Sequence, residues 1–174
     1  MDLLVVIDMQ NDFISGSLKG KKTEKLLDKV VEKVKEFKGE IIYTLDTHYE
    51  DYLKTKEGEN LPIEHCIKGT WGHEIADELK ETKSFDRAKK FEKNTFASIE
   101  LGEYLKSLDE KEGIDNIYFL GLVTDICVVS NALLVKGFLP EKNIYIYKDL
   151  TEGLTEEKKA AAISVMESCH IKAI

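Results

Sequence analysis

Apolar and polar positions follow two rhythms along this chain. Leu3-Leu4-Val5-Val6-Ile7 is an unbroken apolar run of strand length, the pattern of a strand buried on both faces, and it stops at Asp8. From residue 22 to 37, Leu26, Leu27, Val30, Val31, Val34 and Phe37 recur at helical spacing with Lys and Glu between them, and Gly39 marks the end. Ile41-Ile42-Tyr43-Thr44-Leu45 is a second strand and again closes on an aspartate, Asp46. Residues 48–72 carry no period and read as an excursion. The pattern then predicts a short helix near 73–80, a short strand at 83–87 and a helix at 99–108. A strand at 116–122 leads to a helix from Cys127 to Lys136 that Gly137 ends. A strand at 143–147, a helix at 155–168 and a short last strand at 170–174 complete the chain.

Strands alternating with helices imply βαβ units. The expected architecture is a three-layer αβα, Rossmann-like fold around a mostly parallel sheet of about six strands. No linker, repeat or low-complexity tract interrupts it, and Pro62 and Pro140 both fall in connections, so residues 1–174 read as a single domain. Ligands of such sheets bind beyond the carboxyl ends of the strands. Asp8, Asp46 and the segment after Leu122 are therefore the places to search for chemistry.

Composition narrows the partners. Asp plus Glu number 33 against 25 Lys plus Arg, a formal net charge of -8. That balance argues against a nucleic-acid partner and against docking on anionic membranes, and leaves a small neutral or cationic substrate compatible. The N-terminal apolar run is too short for a signal-peptide core or a membrane span, and nothing later reaches span length, so the cytoplasm is the expected location. Cys66, Cys127 and Cys169 are odd in number and far apart. They do not read as a disulfide framework and leave room for a free reactive thiol.

Four segments can carry chemistry. In Gly121-Leu122-Val123-Thr124-Asp125-Ile126-Cys127-Val128 a strong strand gives way to a helix, with Cys127 near the helix N-terminus. Unpaired N–H groups there lower a thiol pKa and can hold an oxyanion. The plainer alternative is a buried structural cysteine. Asp8, at the end of the first strand, can accept a thiol proton if held near Cys127; otherwise it is a loop aspartate bonding local N–H groups. Asp12 reads as the local turn or cap residue. Lys93, in Glu92-Lys93-Asn94-Thr95-Phe96, is either a solvated surface charge or, beside Asp8 and Cys127, the cation that keeps both ionisable. Asp46, His48 and His65 form a mixed oxygen and nitrogen set suited to Zn, Fe or Mn, with Glu57 as a further ligand. Cys66 is the rival in that stretch, but adjacent side chains diverge, which favours His65. The plainer reading leaves both histidines as polar loop residues.

Taken together these segments resemble the nicotinamidase and isochorismatase-like cysteine hydrolase family along nearly the whole chain. Ile7-Asp8-Met9-Gln10-Asn11-Asp12-Phe13 is similar to its opening D-x-Q-N-D-F block, Lys93 to its catalytic lysine, and Gly121 to Val128 to its G-x-x-T-D-x-C-V nucleophile block. Asp46-Thr47-His48 and His65-Cys66-Ile67-Lys68-Gly69-Thr70 resemble the metal-binding segments of its nicotinamidase branch. One departure lies between them: many nicotinamidases carry a further histidine where this chain has Tyr49-Glu50-Asp51-Tyr52, and Glu57 takes its place.

The resemblance implies an isochorismatase-like fold and an amidohydrolase of pyridine-nucleotide salvage that converts nicotinamide to nicotinic acid and ammonia through a cysteine thioester. Asp8, Lys93 and Cys127 would be catalytic, and the N–H groups of Thr124 and Cys127 would bind the oxyanion beside a cis peptide at Val123–Thr124. A divalent ion, Zn ahead of Fe or Mn, would sit on Asp46, His48, His65 and Glu57. Phe13, Phe96 and Val123 would line the substrate, and the protein would be a homo-oligomer. Three other readings stay open: a relative acting on a carbamoyl or ureido amide, a metal-free isochorismatase-type hydrolase, and a non-enzymatic scaffold.

Overall fold

The computed structural model describes residues 1–174. In chain order the elements are β1 (Asp2–Ile7), α1 (Asn11–Ile14), α2 (Thr23–Glu36), β2 (Glu40–Asp46), α3 (Lys56–Asn60), α4 (Asp77–Lys80), β3 (Lys89–Lys93), α5 (Ile99–Glu112), β4 (Asn116–Leu122), α6 (Val129–Phe138), β5 (Asn143–Glu152), α7 (Glu156–Ser168) and β6 (Lys172–Ala173). A wide turn, Thr124–Val128, joins β4 to α6. All six strands are parallel, in the order β3-β2-β1-β4-β5-β6. No helix is long and apolar enough to cross a membrane.

The unbroken apolar run of β1 is explained by its central position. Leu3, Val5 and Ile7 enter one core with Leu101 and Leu105 of α5, Ala132 and Val135 of α6 and Met166 of α7. Leu4 and Val6 enter the other core with Leu26, Leu27, Val30 and Val34 of α2. Side chains alternate across a strand, so burial on both faces demands an apolar residue at every position. The 3.6-residue rhythm of α2 places its apolar stripe on the sheet and its Lys and Glu in water.

Several boundaries differ from the sequence expectation. Residues 83–87 form turns, and the strand of that region is β3 at Lys89–Lys93. β3 is an edge strand pairing only with β2, and of its residues only Phe91 and Lys93 are buried, so it has no apolar run to announce it. The helix expected to start at Cys127 starts at Val129, after the wide turn. It runs through Gly137 and ends at Phe138, because Leu139 precedes Pro140 and a residue before proline is driven out of the helical region. α2 ends at Glu36, three residues before Gly39. β5 runs to Glu152 rather than 147 because an irregular step lets Thr151 rejoin Gly121.

Gly121 pairs with Ile7 where β1 and β4 lie side by side. Its φ is +116, and a Cβ there would collide with the Ile7 carbonyl oxygen. Gly137 is exposed on α6 with open space around a built Cβ. Gly121→Ala is therefore expected to lose about 3 kcal/mol of stability, and Gly137→Ala to gain about 0.5–1 kcal/mol. Urea midpoints of the two variants check this; equal and small shifts would contradict the close approach at Gly121.

Candidate active site

The strand order reverses between β1 and β4, so a crevice opens over their carboxyl ends. Asp8 follows β1 directly. Its φ of +47 lies in the left-handed region that residues with a side chain rarely occupy, a strain found mostly at functional sites. Its carboxylate is fully buried, and the Thr44 hydroxyl donates to Oδ1 at 2.6 Å while accepting from the Asp8 N–H at 3.2 Å. β3 ends on Lys93. Its Nζ stands 2.7 Å from Asp8 Oδ2, 3.4 Å from Asp46 Oδ1 and 3.6 Å from Cys127 Sγ. Lys93 is thus a buried ion at a strand terminus, contrary to the reading as a solvated loop charge.

The electrostatics follow from burial. Desolvation pushes the Asp8 carboxyl above the usual carboxylate range, against the pull of Lys93. Burial would lower Lys93, but the charges of Asp8, Cys127 and Asp46 prevail and raise it, so it stays an ammonium. Burial and the Asp8 charge push the Cys127 thiol well up, against the pull of Lys93. The resting thiol therefore holds its proton, with the Lys93 ammonium 3.6 Å from its sulfur. Asp8 Oδ2 has the ion pair but no aligned hydrogen-bond donor, which leaves it open as an acceptor.

The nucleophile turn is held from several sides. The N–H groups of Ile126 and Val128 both donate to the Val123 carbonyl at 3.1 Å, which widens the turn carrying Thr124 and Cys127. Thr151 donates to the Gly121 carbonyl at 2.7 Å, so Thr124 donates to Thr151 at 2.8 Å. Asp125 accepts from Leu154 N–H at 2.9 Å and ties the β5–α7 connection to the turn. Asn131 donates to the carbonyls of Cys127 (2.7 Å) and Phe96 (3.0 Å) and accepts from Ser98 N–H (2.9 Å), joining the segment after Lys93 to the thiol turn. The cis peptide lies at Leu122–Val123, one bond earlier than the resemblance implied, where the chain leaves the pairing of Leu122 with Glu152.

Asp46, His48, Glu57 and His65 converge, with one ligand atom of each within 4.8 Å of the others. Backbone pairing explains it. His48 N–H donates to the Cys66 carbonyl (3.0 Å) and the His48 carbonyl accepts from Lys68 N–H (2.8 Å), so the excursion folds back alongside Asp46-Thr47-His48. Cys66 itself points elsewhere, with its sulfur near the Gly72 carbonyl. Asp46 Oδ2 lies 3.0 Å from His48 Nε2 and 3.4 Å from His65 Nε2, and Glu57 Oε1 lies 3.6 and 3.7 Å from the same two nitrogens. His65 Nδ1 is 2.8 Å from the Ile63 carbonyl, which can only accept. Nδ1 therefore carries a proton, so in the neutral ring Nε2 is the nitrogen left to ligate an ion, the arrangement of a metal ligand. Burial alone would raise the Asp46 carboxyl, but the histidine hydrogen bonds and Lys93 hold it well below the usual range. Two imidazoles and two carboxylates form a donor set that fits a divalent ion such as Zn²⁺.

The stretch that lacks the extra histidine supplies Tyr52 instead. Its ring is fully buried and packs edge-on against both imidazoles, 4.7 Å from His48 and 5.0 Å from His65. A cavity of about 680 Å³ opens between this cluster and the thiol, and Phe13, Phe96 and Val123 all line it. Phe13 meets His65 edge-on at 5.7 Å; Phe96 stays half exposed at the mouth. Sequence reasoning singled out none of Gln10, Thr44, Tyr52, Asn131 and Thr151 for a role, and only Gln10, inside the opening block, left a signal to find.

This topology, with its ionisable groups gathered at the reversal of strand order, puts the protein among the hydrolytic enzymes of the three-layer α/β type. It belongs to the isochorismatase domain family, whose model matches residues 2–174. It is 26% identical to the nicotinamidase of Saccharomyces cerevisiae over an alignment that covers 76% of this chain and 80% of the yeast protein. It is 25% identical to the nicotinamidase of Schizosaccharomyces pombe over an alignment covering 98% of this chain and 91% of that protein. The crystal structure of the Pyrococcus horikoshii pyrazinamidase in complex with zinc superposes with a TM-score of 0.83 at 27% identity, over 99% of this chain and 98% of that one.

Lys93→Met removes the cation that faces Asp8 and Asp46. Asp8 then keeps its proton to still higher pH when folded, while the unfolded chain releases it in the ordinary carboxylate range. The folded protein binds more protons than the unfolded one across that window, so stability falls as pH rises. In chelator, the variant's melting temperature is expected to drop more steeply than the wild type's between about pH 5 and about pH 8, with a loss of about 3 kcal/mol at the upper end. Parallel curves for the two proteins would remove Lys93 as the partner of Asp8.

Proposed function

We propose that the protein hydrolyses nicotinamide to nicotinic acid and ammonia, with Asp8, Lys93 and Cys127 as the catalytic residues. The observation that carries this reading is the position of Asp46. One of its oxygens faces Lys93, beside the thiol; the other faces His48 and His65. A thiol able to attack a carboxamide and a donor set able to hold an ion for a ring nitrogen thus face one cavity. The relatives named nicotinamidase support the same substrate.

Asp8 accepts the Cys127 proton as the sulfur adds to the amide carbon, while Lys93 offsets the negative charge that passes between them. The N–H groups of Thr124 and Cys127 receive the oxyanion. As the C–N bond breaks, Asp8 gives its proton to the departing ammonia and a thioester remains. Water adds to that thioester with Asp8 again as base, the C–S bond breaks, and the acid and the thiol are released. Phe13, Phe96 and Val123 confine the ring. Asp46, His48, Glu57 and His65 hold the divalent ion, Zn²⁺ by preference. When bound, the ion supplies a Lewis-acid site for the pyridine nitrogen. The cytoplasm is the proposed location.

Cys127→Ala is expected to lower kcat for ammonia release from nicotinamide by a factor on the order of 10³ or more. If another amide turns over while nicotinamide releases no more ammonia than buffer, the substrate assignment falls. A Cys127→Ala protein as active as wild type would remove the thioester.

Dialysis against a chelator is expected to reduce nicotinamide hydrolysis, and added Zn²⁺ to restore it. The metal-free reading predicts no response to the chelator; the convergence of two histidines and two carboxylates on the cavity is the observation against it.

A further inference from the structure

The opening block leaves three consecutive polar residues that the chemistry above does not use: Gln10, Asn11 and Asp12. Asn11 and Asp12 reach backbone of the metal-bearing excursion, and Gln10 reaches the backbone on either side of it, at Asp46 and His73. Gln10 is fully buried. Its Oε1 accepts from Asp46 N–H at 2.7 Å, and its Nε2 donates to the carbonyls of Asp46 and His73, both at 2.8 Å. Asn11 donates to the Trp71 carbonyl at 2.8 Å. Asp12 Oδ2 accepts from Cys66 N–H at 2.8 Å, next to His65.

The geometry has a physical cause. β1 pairs with β2 only as far as Val6 and Tyr43, because Asp8 turns the chain away in its left-handed conformation. Asp46, three residues further along β2, has lost its β1 neighbour. A buried peptide there would leave a donor and an acceptor unpaired, a cost of about 1–3 kcal/mol for each. The Gln10 amide offers one acceptor and two donors and closes both sides of the Asp46 peptide as a strand would. Asp12 does the same for the Cys66 N–H, whose residue also has positive φ, at +46, while the Cys66 carbonyl already accepts from His48. Gly72 leaves room for that carboxylate; a Cβ there would collide with it.

We infer that Gln10 and Asp12 are positioning residues for the metal-ligand set, Gln10 fixing the Asp46 segment and Asp12 the His65 segment. The inference rests on the proposal that Asp46, His48, Glu57 and His65 hold a divalent ion. It makes the turn after the catalytic base a scaffold for the ion, so that the thiol site and the metal site are registered by one short segment.

Co²⁺ is the probe, because its visible absorption reports ligand geometry directly. The full-length chain is stripped of metal and titrated with Co²⁺ in the wild type, Gln10→Met, Gln10→Glu, Asp12→Ala, Asp12→Asn and Thr151→Val. Gln10→Met and Asp12→Ala are expected to weaken Co²⁺ binding about tenfold or more and to alter its visible spectrum. Asp12→Asn keeps an acceptor for Cys66 N–H and should recover most of the affinity. Gln10→Glu keeps the acceptor for Asp46 N–H but loses the donor to two carbonyls, so it should fall between wild type and Gln10→Met; it carries the test if Gln10→Met does not fold. Thr151→Val removes an equally buried clamp on the other side of the cavity and should lower Tm with the Co²⁺ spectrum unchanged. Gln10 and Asp12 variants that melt earlier yet bind Co²⁺ with wild-type affinity and spectrum would overturn the inference, as would a Thr151→Val spectrum altered to the same degree. A wild type that takes up no Co²⁺ would overturn the metal reading and this inference with it, whereas normal uptake by every variant would sink this inference alone.

Discussion

The rest of the site depends on one buried ammonium. An isolated charge in a protein interior costs several kcal/mol, so Lys93 is tolerable only where anionic groups surround it. Asp8 and Asp46 meet it from two strands and Cys127 from the turn after β4. Its position therefore requires β3, β2, β1 and β4 to end at one level, which a parallel sheet of this register provides. The charges near it do not balance without help: the carboxylates of Asp8, Asp46 and Glu57 share one ammonium. A divalent cation on the histidine side would offset that excess of carboxylates, so charge as well as ligand geometry is compatible with an ion there.

The reversal of strand order decides where the chemistry collects. β1 and β4 are neighbours in the sheet although more than a hundred residues separate them, and their connections leave in opposite directions. Asp8 and the Cys127 turn thus face each other over a gap that no crossover fills. Contact at this seam is close enough that Gly121 is needed opposite Ile7. The seam is also why the residues that brace the turn, Thr151 and Asn131, come from the strand and helix that follow it, where a hydrogen bond can reach back without crossing the crevice.

What could be read in advance divides along a physical line. β1, β2 and β4 are central and apolar throughout, and α2 has a clean stripe, so pattern alone finds them. β3 is an edge strand reading Lys-Lys-Phe-Glu-Lys, with charges where a central strand would have Val or Ile, so the apolar pattern points six residues too early. Asp8, Lys93 and Cys127 were legible through resemblance, because spacing cannot bring three distant segments together. The bracing residues were not. Gln10 meets Asp46 across 36 residues, Asp12 meets Cys66 across 54 and Asn131 meets Ser98 across 33. Such bonds are made by ordinary polar residues whose partners only the tertiary fold defines. Tyr52 is the same case in apolar form: nothing in Tyr49-Glu50-Asp51-Tyr52 announces a ring packed on two imidazoles.

Asp46 is where the two halves of the site meet, and its two oxygens make the division of labour concrete. A carboxylate that hydrogen-bonds one imidazole, contacts a second and also faces an ammonium is held ionised more firmly than any one contact alone would hold it. The opposite holds for Asp8, a few ångströms away behind the same lysine, whose carboxyl is pushed up by burial. Two acids sharing one cation are thus set apart by what else they touch: the one with histidine partners is held as an anion, and the one pushed up by burial keeps an open oxygen on the side of the thiol, which is what the proposed proton transfer requires. Glu57 completes the cluster on the same terms, with Oε1 3.6 and 3.7 Å from the two imidazole nitrogens. A carboxylate at that edge, beside a site anchored by Asp46, adds negative charge where a divalent ion would use it.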